Sequence, residues 1–228
     1  MKHLVVLSGA GVSADSGIKT FRDADGLWEN YRVEDVCTPE ALAANPALVL
    51  DFYNQRRRQL KTTQPNAGHI AIAELEKVFK VDVITQNVDN LHERAGSTRV
   101  LHLHGELTKV RSMTHPAYIC EVDGDIAVGD LCPQGGQLRP HIVFFGEAVP
   151  MLERAAAIVS TADLLLIAGT SMVVYPAASL YGYAPQNCPI YVINPDATTI
   201  AAPNVTYIRE RFAVGMPQLA QQLKMDNG

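Results

Sequence analysis

The chain of 228 residues lacks the features that mark membrane, secreted or nucleic-acid-binding proteins. No apolar run approaches the roughly 18 residues of a membrane span, and the start of the chain shows no basic segment, apolar stretch and cleavage site of a signal peptide. Nineteen basic against 24 acidic residues give a net charge of −5, which favours neither nucleic acid nor an anionic membrane as a partner. We therefore expect a cytoplasmic protein that binds neither.

Cysteine is also scarce. The 4 cysteines form no C-x-x-C pair, so the sequence predicts no disulfide framework and fits a reducing compartment. With 47% hydrophobic residues the chain can nevertheless bury a substantial core, and its length predicts one domain over residues 1–228. We expect that domain to be a monomer.

The most informative segment that is present is a glycine turn near the start. An apolar run at residues 3–7 predicts a buried strand, and Gly9, Gly11 and Ala14 then satisfy the G-x-G-x-x-G/A pattern of dinucleotide sites. In such sites glycine lets the backbone approach a pyrophosphate. Taken alone, the pattern fits a plain strand-to-helix turn equally well.

Further apolar runs alternate with segments of helical spacing. Runs rich in branched residues predict strands that are covered on both faces, at 81–85, 100–104, 163–168 and 190–193. Helical spacing occurs at 67–80, 152–161 and 217–224. This alternation predicts an α/β protein with a Rossmann-like, doubly wound parallel sheet. Polar or glycine-bearing clusters follow nearly every strand, and ligands bind at that edge of such sheets.

Two segments do not fit a plain Rossmann unit. The first, residues 24–65, lacks the second strand and the acidic residue expected about 20 residues after the glycines, and we interpret it as a smaller helical insertion. The second, residues 109–140, is rich in turn-forming residues and short of periodicity, so it predicts a small irregular module.

Read together, the clusters at the strand ends resemble the sirtuin family of NAD-dependent protein lysine deacylases. The similarity covers nearly the whole chain, with eight blocks in the family's order. They are Gly9-Ala10-Gly11-Val12-Ser13, Thr20-Phe21-Arg22, Gly26-Leu27-Trp28, Thr85-Gln86-Asn87-Val88-Asp89, His104-Gly105-Glu106-Leu107, Phe145-Gly146-Glu147, Gly169-Thr170-Ser171 and Asn194-Pro195.

The resemblance implies that NAD is bound and consumed as a co-substrate. Diphosphate contacts would come from the glycine turn, with Thr170 and Ser171 adding hydrogen bonds, and Asn194 would lie near the adenosine ribose. Phe21 and Arg22 would lie in a loop over the nicotinamide ribose, where an aromatic ring can exclude water. Asp89 would pair with the nicotinamide carboxamide, and Gln86 and Asn87 would position the ribose hydroxyls and a water. The complete set implied to bind NAD is Gly9, Ala10, Gly11, Ala14, Phe21, Arg22, Trp28, Gln86, Asn87, Asp89, Gly169, Thr170, Ser171, Asn194, Pro195, Asp196 and Phe212, with Ala213 as the alternative to Phe212.

The family's general base corresponds to His104, with Asn87 as the second catalytic residue. A histidine of near-neutral pKa can take a proton from a ribose hydroxyl. His102 shares the same face by strand alternation, so the spacing does not choose between the two histidines. The following Gly105-Glu106-Leu107 matches the family's block and selects His104.

The acyl group is indicated by a Y-x-x-R pair. Tyr53 and Arg56 lie three apart in a segment of helical character and so share one face. A phenol and a guanidinium can bind a carboxylate together, and the desuccinylase-like branch of sirtuins from bacteria and mitochondria carries the same pair. The alternative is that residues 56–58 form a solvated basic run. The resemblance also implies that Val143, Phe145 and Gly146 contact the acyl-lysine protein substrate.

Sirtuins usually carry two C-x-x-C pairs that bind a structural zinc ion, and this chain departs from that pattern. The first pair would fall near Ser112 and His115, and Cys132 begins a second pair whose last cysteine is lost. We therefore expect no structural zinc and a module held by packing, although Cys120, Cys132 and His115 remain as possible ligands of some metal.

The predicted reaction removes acetyl and succinyl or malonyl groups from lysine. It yields nicotinamide, which we also expect to inhibit, and O-acyl-ADP-ribose. Two alternatives stay open at this point: a protein ADP-ribosyltransferase that uses the same NAD site, and an NAD-binding module without turnover.

Overall fold

The computed structural model describes residues 1–19, 27–28, 31–171, 175–196, 200 and 204–227, with 27, 28 and 227 described by their backbone alone. A six-stranded sheet in the order β11-β10-β9-β1-β4-β5 forms its centre. All of its pairings are parallel. The strands are β1 (His3–Ser8), β4 (Lys80–Thr85), β5 (Val100–His102), β9 (Leu164–Ala168), β10 (Ile190–Ile193) and β11 (Val205–Ile208).

Side chains of the central strand alternate between two cores, as the strand period of two requires. Leu4 and Val6 face one core, whereas Val5 and Leu7 face the other. The first core packs against helices α5 (Ala67–Leu75) and α8 (Phe212–Asn227). The second packs against α7 (Leu152–Val159) and a 3-10 helix at Ala177–Tyr183. The predicted Rossmann-like, doubly wound fold is confirmed.

The strand order reverses between β1 and β9. From β1 the chain continues through β4 and β5 to one side, and it returns at β9 on the other side of β1. After β1 and after β9 the chain therefore continues towards opposite sides of the sheet, and the carboxyl ends of two such strands are where ligands bind in open α/β sheets.

The first insertion is helical, as predicted, and its helices begin where the sequence supplies caps. The helices are α2 (Val33–Val36), α3 (Pro39–Ala44) and α4 (Pro46–Thr62). Thr38 Oγ1 accepts the Ala41 N–H at 3.0 Å and Asn45 Oδ1 accepts the Leu48 N–H at 3.1 Å. A proline follows each cap, where its fixed φ suits the first turn. A short antiparallel pair, β2 (Leu27–Trp28) and β3 (Tyr31–Arg32), precedes these helices.

The second insertion is more regular than its sequence indicates. It contains a three-stranded antiparallel sheet in the order β7-β6-β8, with β6 at Gly105–Ser112, β7 at Ile119–Glu121 and β8 at Leu138–Ile142. The buried apolar residues of β6, Leu107 and Val110, are three positions apart, because the pairing with β8 shifts register between Glu106 and Val110. This spacing hides the alternation that would have predicted a strand.

Several predicted boundaries differ from the structure, and the helix predicted at 152–161 ends at Val159. The helix predicted at 67–80 ends at Leu75, and a turn at 76–79 leads into β4. The last helix begins at Phe212 and carries Pro217 inside it. The strand predicted at 100–104 ends at His102, and His104 lies in the bend that leads into β6. Among the described residues no helix is both long and apolar enough to cross a membrane.

Two buried histidines pack against each other beneath the carboxyl edge of the sheet. His69 on α5 and His92 on α6 (Leu91–Arg94) are 0% and 1% exposed, and their rings meet edge to face at 4.8 Å. His69 Nδ1 accepts the Asn66 N–H, and His92 Nε2 lies 3.0 Å from Ser8 Oγ. Burial lowers the pKa of His69 from 6.5 to about 4, and burial also lowers the pKa of His92.

This pair predicts loss of stability in mild acid. Because the pKa of His69 is about 4 in the folded protein and 6.5 when unperturbed, the unfolded state binds more protons between these values. The contribution of neutral His69 to the free energy of unfolding is complete above pH 6.5 and is lost as the pH falls towards 4. The loss amounts to up to about 3 kcal/mol. His69→Gln keeps an acceptor for Asn66 and removes the titration, so its free energy of unfolding should fall less over this range. Urea unfolding at several pH values measures the free energy of unfolding, with His115→Gln, at an exposed position, as the control. If this free energy changed equally with pH in the wild type and in both variants, the prediction would be contradicted.

Candidate active site

The glycine turn after β1 and the turn after β9 approach each other at backbone distance. A Cβ at Gly169 would lie 2.3 Å from the Val12 nitrogen, and one at Gly11 would lie 2.8 Å from Gly169 Cα. Gly169 also has a φ of +60°, which favours glycine. The glycines are therefore required by the contact between the two turns, whatever ligand lies above them.

Most amide groups of the first turn are used within this contact. The Gly9 N–H donates to Ala168 O at 3.0 Å, and the Gly11 N–H donates to Gly169 O at 2.8 Å. The Ala10 N–H has no hydrogen-bond partner among the described residues. Of the three residues predicted to hold a diphosphate, Ala10 is thus the one whose amide remains for a ligand. Ala14, also predicted to bind NAD, is exposed at the end of the short helix α1 (Gly11–Ala14).

Polar side chains connect the ends of β4, β9 and β10. Gln86 Nε2 donates to Thr170 Oγ1 at 3.3 Å, and Asn194 Nδ2 donates to Thr170 O at 3.0 Å. Thr170 and Asn194 are 8% and 9% exposed, and Ser171 lies partly exposed beside them. Asn194 Oδ1 accepts the Asp196 N–H at 3.2 Å. The structure thus brings Gln86 and Asn194 onto Thr170, from which they are 84 and 24 positions away in the sequence.

Ser13, which was not assigned a role from the sequence, connects two predicted site residues. Its hydroxyl donates to Asp89 Oδ2 at 2.9 Å and accepts from Asn87 Nδ2 at 3.0 Å. Asp89 Oδ1 also accepts the Leu91 N–H at 3.1 Å and so caps α6. Burial raises the pKa of Asp89, although the Leu91 and Ser13 hydrogen bonds oppose the rise. The position of Ser13 within the first sequence block was the available signal.

Two histidines hold consecutive carbonyls of the loop after β4. His102 Nδ1 lies 2.9 Å from Asn87 O, and His104 Nδ1 lies 3.0 Å from Gln86 O. Their other nitrogens differ: His102 Nε2 lies 2.7 Å from Glu93 Oε1, whereas His104 Nε2 has no hydrogen-bond partner among the described residues. Because a carbonyl accepts only, His104 must carry its proton on Nδ1 when neutral, which leaves a lone pair on Nε2.

The electrostatics of His104 suit a base. Burial lowers its pKa below the ordinary 6.5, and the hydrogen bond to Gln86 O only partly offsets that effect. The imidazole is therefore neutral at pH 7, with Nε2 able to accept a proton.

Tyr53 and Arg56 lie on α4 beside a cluster of aromatic rings. Tyr53 is 1% exposed and stacks on Phe144 at 5.7 Å, and Arg56 lies with its guanidinium carbon 5.1 Å from the centre of the Phe52 ring. The Tyr53 hydroxyl lies 3.2 Å from Cys37 Sγ. Burial raises the pKa of Cys37 to about 12 and raises that of Tyr53 as well, so both groups stay neutral. No signal in the sequence predicted the Cys37 contact.

The basic run 56–58 is not uniformly solvated. Arg57 is 3% exposed and donates to Leu107 O at 2.9 Å and to Asn54 Oδ1 at 2.7 Å. Arg58 is exposed and pairs with Asp125.

The loop after β8 carries the residues predicted to contact a protein substrate. The Val143 N–H donates to His104 O at 2.9 Å, and the Phe145 N–H donates to Cys37 O at 2.9 Å. Phe145 is 49% exposed, and Gly146 has a φ of +89°. Glu147 anchors this loop by accepting the Phe144 N–H at 2.7 Å and binding Arg139 at 2.6 Å.

The remaining predicted residues lie at the periphery or outside the described chain. The Phe212 ring is 2% exposed and packs on His69, so any contact with a ligand would come from its backbone. The Ala213 N–H donates to Asp15 Oδ2 at 3.2 Å. Pro195 and Asp196 are exposed after β10. Phe21, Arg22 and the side chain of Trp28 lie outside the described residues.

The residues at the family's zinc positions do not fit a tetrahedral ion. Ser112 Oγ accepts the N–H groups of Thr114 and His115 at 3.3 and 3.2 Å, and Cys132 Sγ donates to it at 3.4 Å. A Cβ on Gly136 would lie 2.3 Å from that hydroxyl, so the two turns already meet there. One thiol and one hydroxyl are a poor donor set for zinc, and among the described residues no three His, Cys, Asp or Glu side chains could hold a metal ion together.

Comparisons with known proteins agree with this geometry. The model of the Sir2 family matches residues 9–176. An NAD-dependent protein deacylase of Helicobacter pylori is 55% identical over 224 residues, which cover 98% of each chain. The solved complex of a Sir2 homologue with NAD is 42% identical, with a TM-score of 0.90, and the match covers 100% of this chain and 91% of the other. A triply substituted Sir2 homologue bound to 2′-O-acetyl-ADP-ribose is 42% identical, with a TM-score of 0.89 and coverage of 100% and 94%.

The bridging hydroxyl of Ser13 can be tested by Ser13→Ala. The variant leaves the buried Asn87 amide and Asp89 carboxyl each without one partner, so NAD binding should weaken by about tenfold or more. Titration calorimetry with NAD measures this, and Ser160→Ala on the exposed end of α7 is the control. Equal affinity in the two variants would show that the bridge does not organise the site.

The poor donor set at the family's zinc positions leads to two predictions. Purified protein should contain no stoichiometric zinc, and EDTA should leave its melting temperature unchanged. Ser112→Ala should lower the free energy of unfolding by about 1–3 kcal/mol, because two amide groups lose their acceptor. Zinc at one equivalent by metal analysis would overturn this interpretation.

Proposed function

The chain belongs to the Sir2 family, and on that premise we propose that it is an NAD-dependent protein lysine deacylase of broad acyl range. The acyl group passes from the lysine side chain to a ribose hydroxyl of ADP-ribose, nicotinamide leaves, and one water balances the atoms. The products are nicotinamide, O-acyl-ADP-ribose and the free lysine. The complex of a homologue with 2′-O-acetyl-ADP-ribose supports this product class.

The observation that carries the proposal is the state of His104. Its Nδ1–H is fixed on Gln86 O, and its Nε2 is unprotonated at neutral pH. When bound, NAD supplies a ribose carbon whose bond to nicotinamide is reactive. His104 then accepts a proton at Nε2 from a hydroxyl placed beside it.

Other residues would bind NAD and orient it. The Ala10 N–H and the polar groups of Thr170, Ser171 and Asn194 would hold the diphosphate and adenosine side. Gln86, Asn87 and Asp89 would hold the nicotinamide side, since Ser13 fixes the two latter side chains relative to each other. Phe21, Arg22 and Trp28 would also bind NAD, as the family resemblance implies, with Phe21 and Arg22 over the nicotinamide ribose.

A carboxylate on the acyl group fits the surroundings of Tyr53 and Arg56. The phenol and the nearby Cys37 thiol both stay neutral because burial raises their pKa values, so neither repels an anion. The phenol donates one hydrogen bond, and the guanidinium supplies charge and a planar pair of donors. Succinyl and malonyl groups carry such a carboxylate, and an acetyl group does not. Val143, Phe145 and Gly146 lie on the loop that would receive the substrate peptide.

The test compares acetyl-lysine and succinyl-lysine peptides with NAD, following nicotinamide release and peptide mass. His104→Ala should lower kcat/KM for both peptides by about 100-fold or more. Arg56→Met should lower kcat/KM for the succinyl peptide by about tenfold or more and change the acetyl value little. Arg58→Met, two positions along the same helix, is the matched control.

Three results would each contradict a different part of the proposal: the base, the carboxylate contact or the type of reaction. Normal deacylation by His104→Ala would exclude it as the base. An unchanged ratio of succinyl to acetyl activity in Arg56→Met would exclude the carboxylate contact. A gain of ADP-ribose mass on the peptide without deacylation would indicate ADP-ribosyl transfer.

A further inference from the structure

His102 is the last residue of β5, and its side chain is 7% exposed. Both of its ring nitrogens are within hydrogen-bond distance of an oxygen. Nδ1 lies 2.9 Å from the backbone carbonyl of Asn87 and Nε2 lies 2.7 Å from the carboxylate of Glu93 on α6. The proposed mechanism gives this residue no role.

The two partners fix its protonation state. A backbone carbonyl and an ionised carboxylate accept hydrogen bonds and donate none, whereas a neutral imidazole has a single N–H. Both contacts can be hydrogen bonds at once only if both nitrogens carry protons. Burial raises the pKa of Glu93, but the hydrogen bond and the charge of His102 lower it, and the resulting pKa lies below the ordinary value. The carboxylate is therefore ionised.

We propose that His102 is an imidazolium that positions Asn87 in the NAD site by holding its backbone carbonyl against α6. His102 touches neither substrate nor the reacting atoms in this assignment and acts through Asn87. Its neighbour His104 holds the adjacent carbonyl in the same way, but it works in the neutral form. Two histidines on one strand end thus require opposite charge states.

The charged groups around His102 come from each element packed against it. Glu93 on α6, Asp89 in the loop after β4 and Glu106 on β6 are anionic when ionised and favour the imidazolium. His92 on α6 would oppose it when protonated. Lys109 on β6 binds Glu106 at 2.8 Å and so weakens the effect of that carboxylate. Burial lowers the pKa of His102, but Glu93, the Asn87 carbonyl and Glu106 together raise it above 6.5.

The opposite requirements give a bell-shaped dependence of rate on pH. Activity should rise as His104 loses its proton, at a pH below 6.5, because its pKa is lowered. Activity should fall as His102 loses its proton, at a pH above 6.5, because its pKa is raised and one of its two hydrogen bonds is then lost. The stability that His102 contributes is complete below pH 6.5 and is lost over the same alkaline range.

The direct test is NMR of the full chain labelled with ¹⁵N-histidine. His102→Gln identifies the His102 signals by their absence, and the wild type should show both nitrogens of this ring protonated above pH 6.5. Glu93→Gln removes the carboxylate and should lower the pH at which His102 titrates by about one unit or more. Glu153→Gln, on the exposed face of α7, should leave the titration unchanged.

The activity arm rests on the proposed deacylase function. In Glu93→Gln the alkaline limb of kcat/KM for NAD should move to lower pH by the same amount, while the acid limb stays in place. Titration of His102 at or below pH 6.5 in the wild type would overturn the imidazolium assignment, even in a protein with no deacylase activity. A normal titration with an alkaline limb that Glu93→Gln does not move would overturn the positioning role.

Discussion

The close approach of the glycine turn after β1 to Gly169 after β9 is the contact on which the rest of the site depends. No Cβ fits at Gly11 or Gly169, so the two turns share their backbone hydrogen bonds. Among the described residues of the glycine turn, this contact leaves the N–H of Ala10 without a hydrogen-bond partner at the switch point of the sheet. It also places Thr170 where Gln86 can reach it across the sheet. A side chain at either glycine would therefore separate the turns after β1 and β9, which carry the proposed cofactor contacts.

The buried titratable side chains of the site differ in protonation state. Burial alone would neutralise all of them, but their hydrogen bonds act selectively. His104 and Tyr53 stay neutral, because no ionised partner outweighs burial. His102 has such a partner in Glu93 and becomes the exception. The carboxylate of Glu93, on the four-residue helix α6, thus accounts for the difference in charge between the proposed base His104 and the proposed imidazolium of His102.

The strands, the helical insertion and the clusters at the strand ends could be predicted from the sequence, because branched apolar runs and capping residues are local signals. The role of His102 could not, since spacing places it on the same face as His104. The position of Glu93, brought in by α6, is what gives the two histidines different hydrogen-bond partners. The same limit applies to Ser13 and Cys37, whose partners lie on other elements. Strand β6 was not predicted because a register shift between Glu106 and Val110 places its buried apolar residues three positions apart.

The family's zinc positions in the small module lie far from the proposed reaction site, because the two ends of the module are far apart. Its sheet joins the site at Gly105, which pairs with Ile142, and reaches the Ser112 turns only at the other end of β6. Seven strand residues separate these points by roughly 23 Å. At the end near Gly105, the loop after β8 is held by two contacts. The Val143 N–H donates to His104 O, and Glu147 forms an ion pair with Arg139. The loop proposed to receive the substrate is therefore held by an ion pair and backbone hydrogen bonds next to His104, the proposed base, whereas the hydroxyl of Ser112 holds the distant turns together.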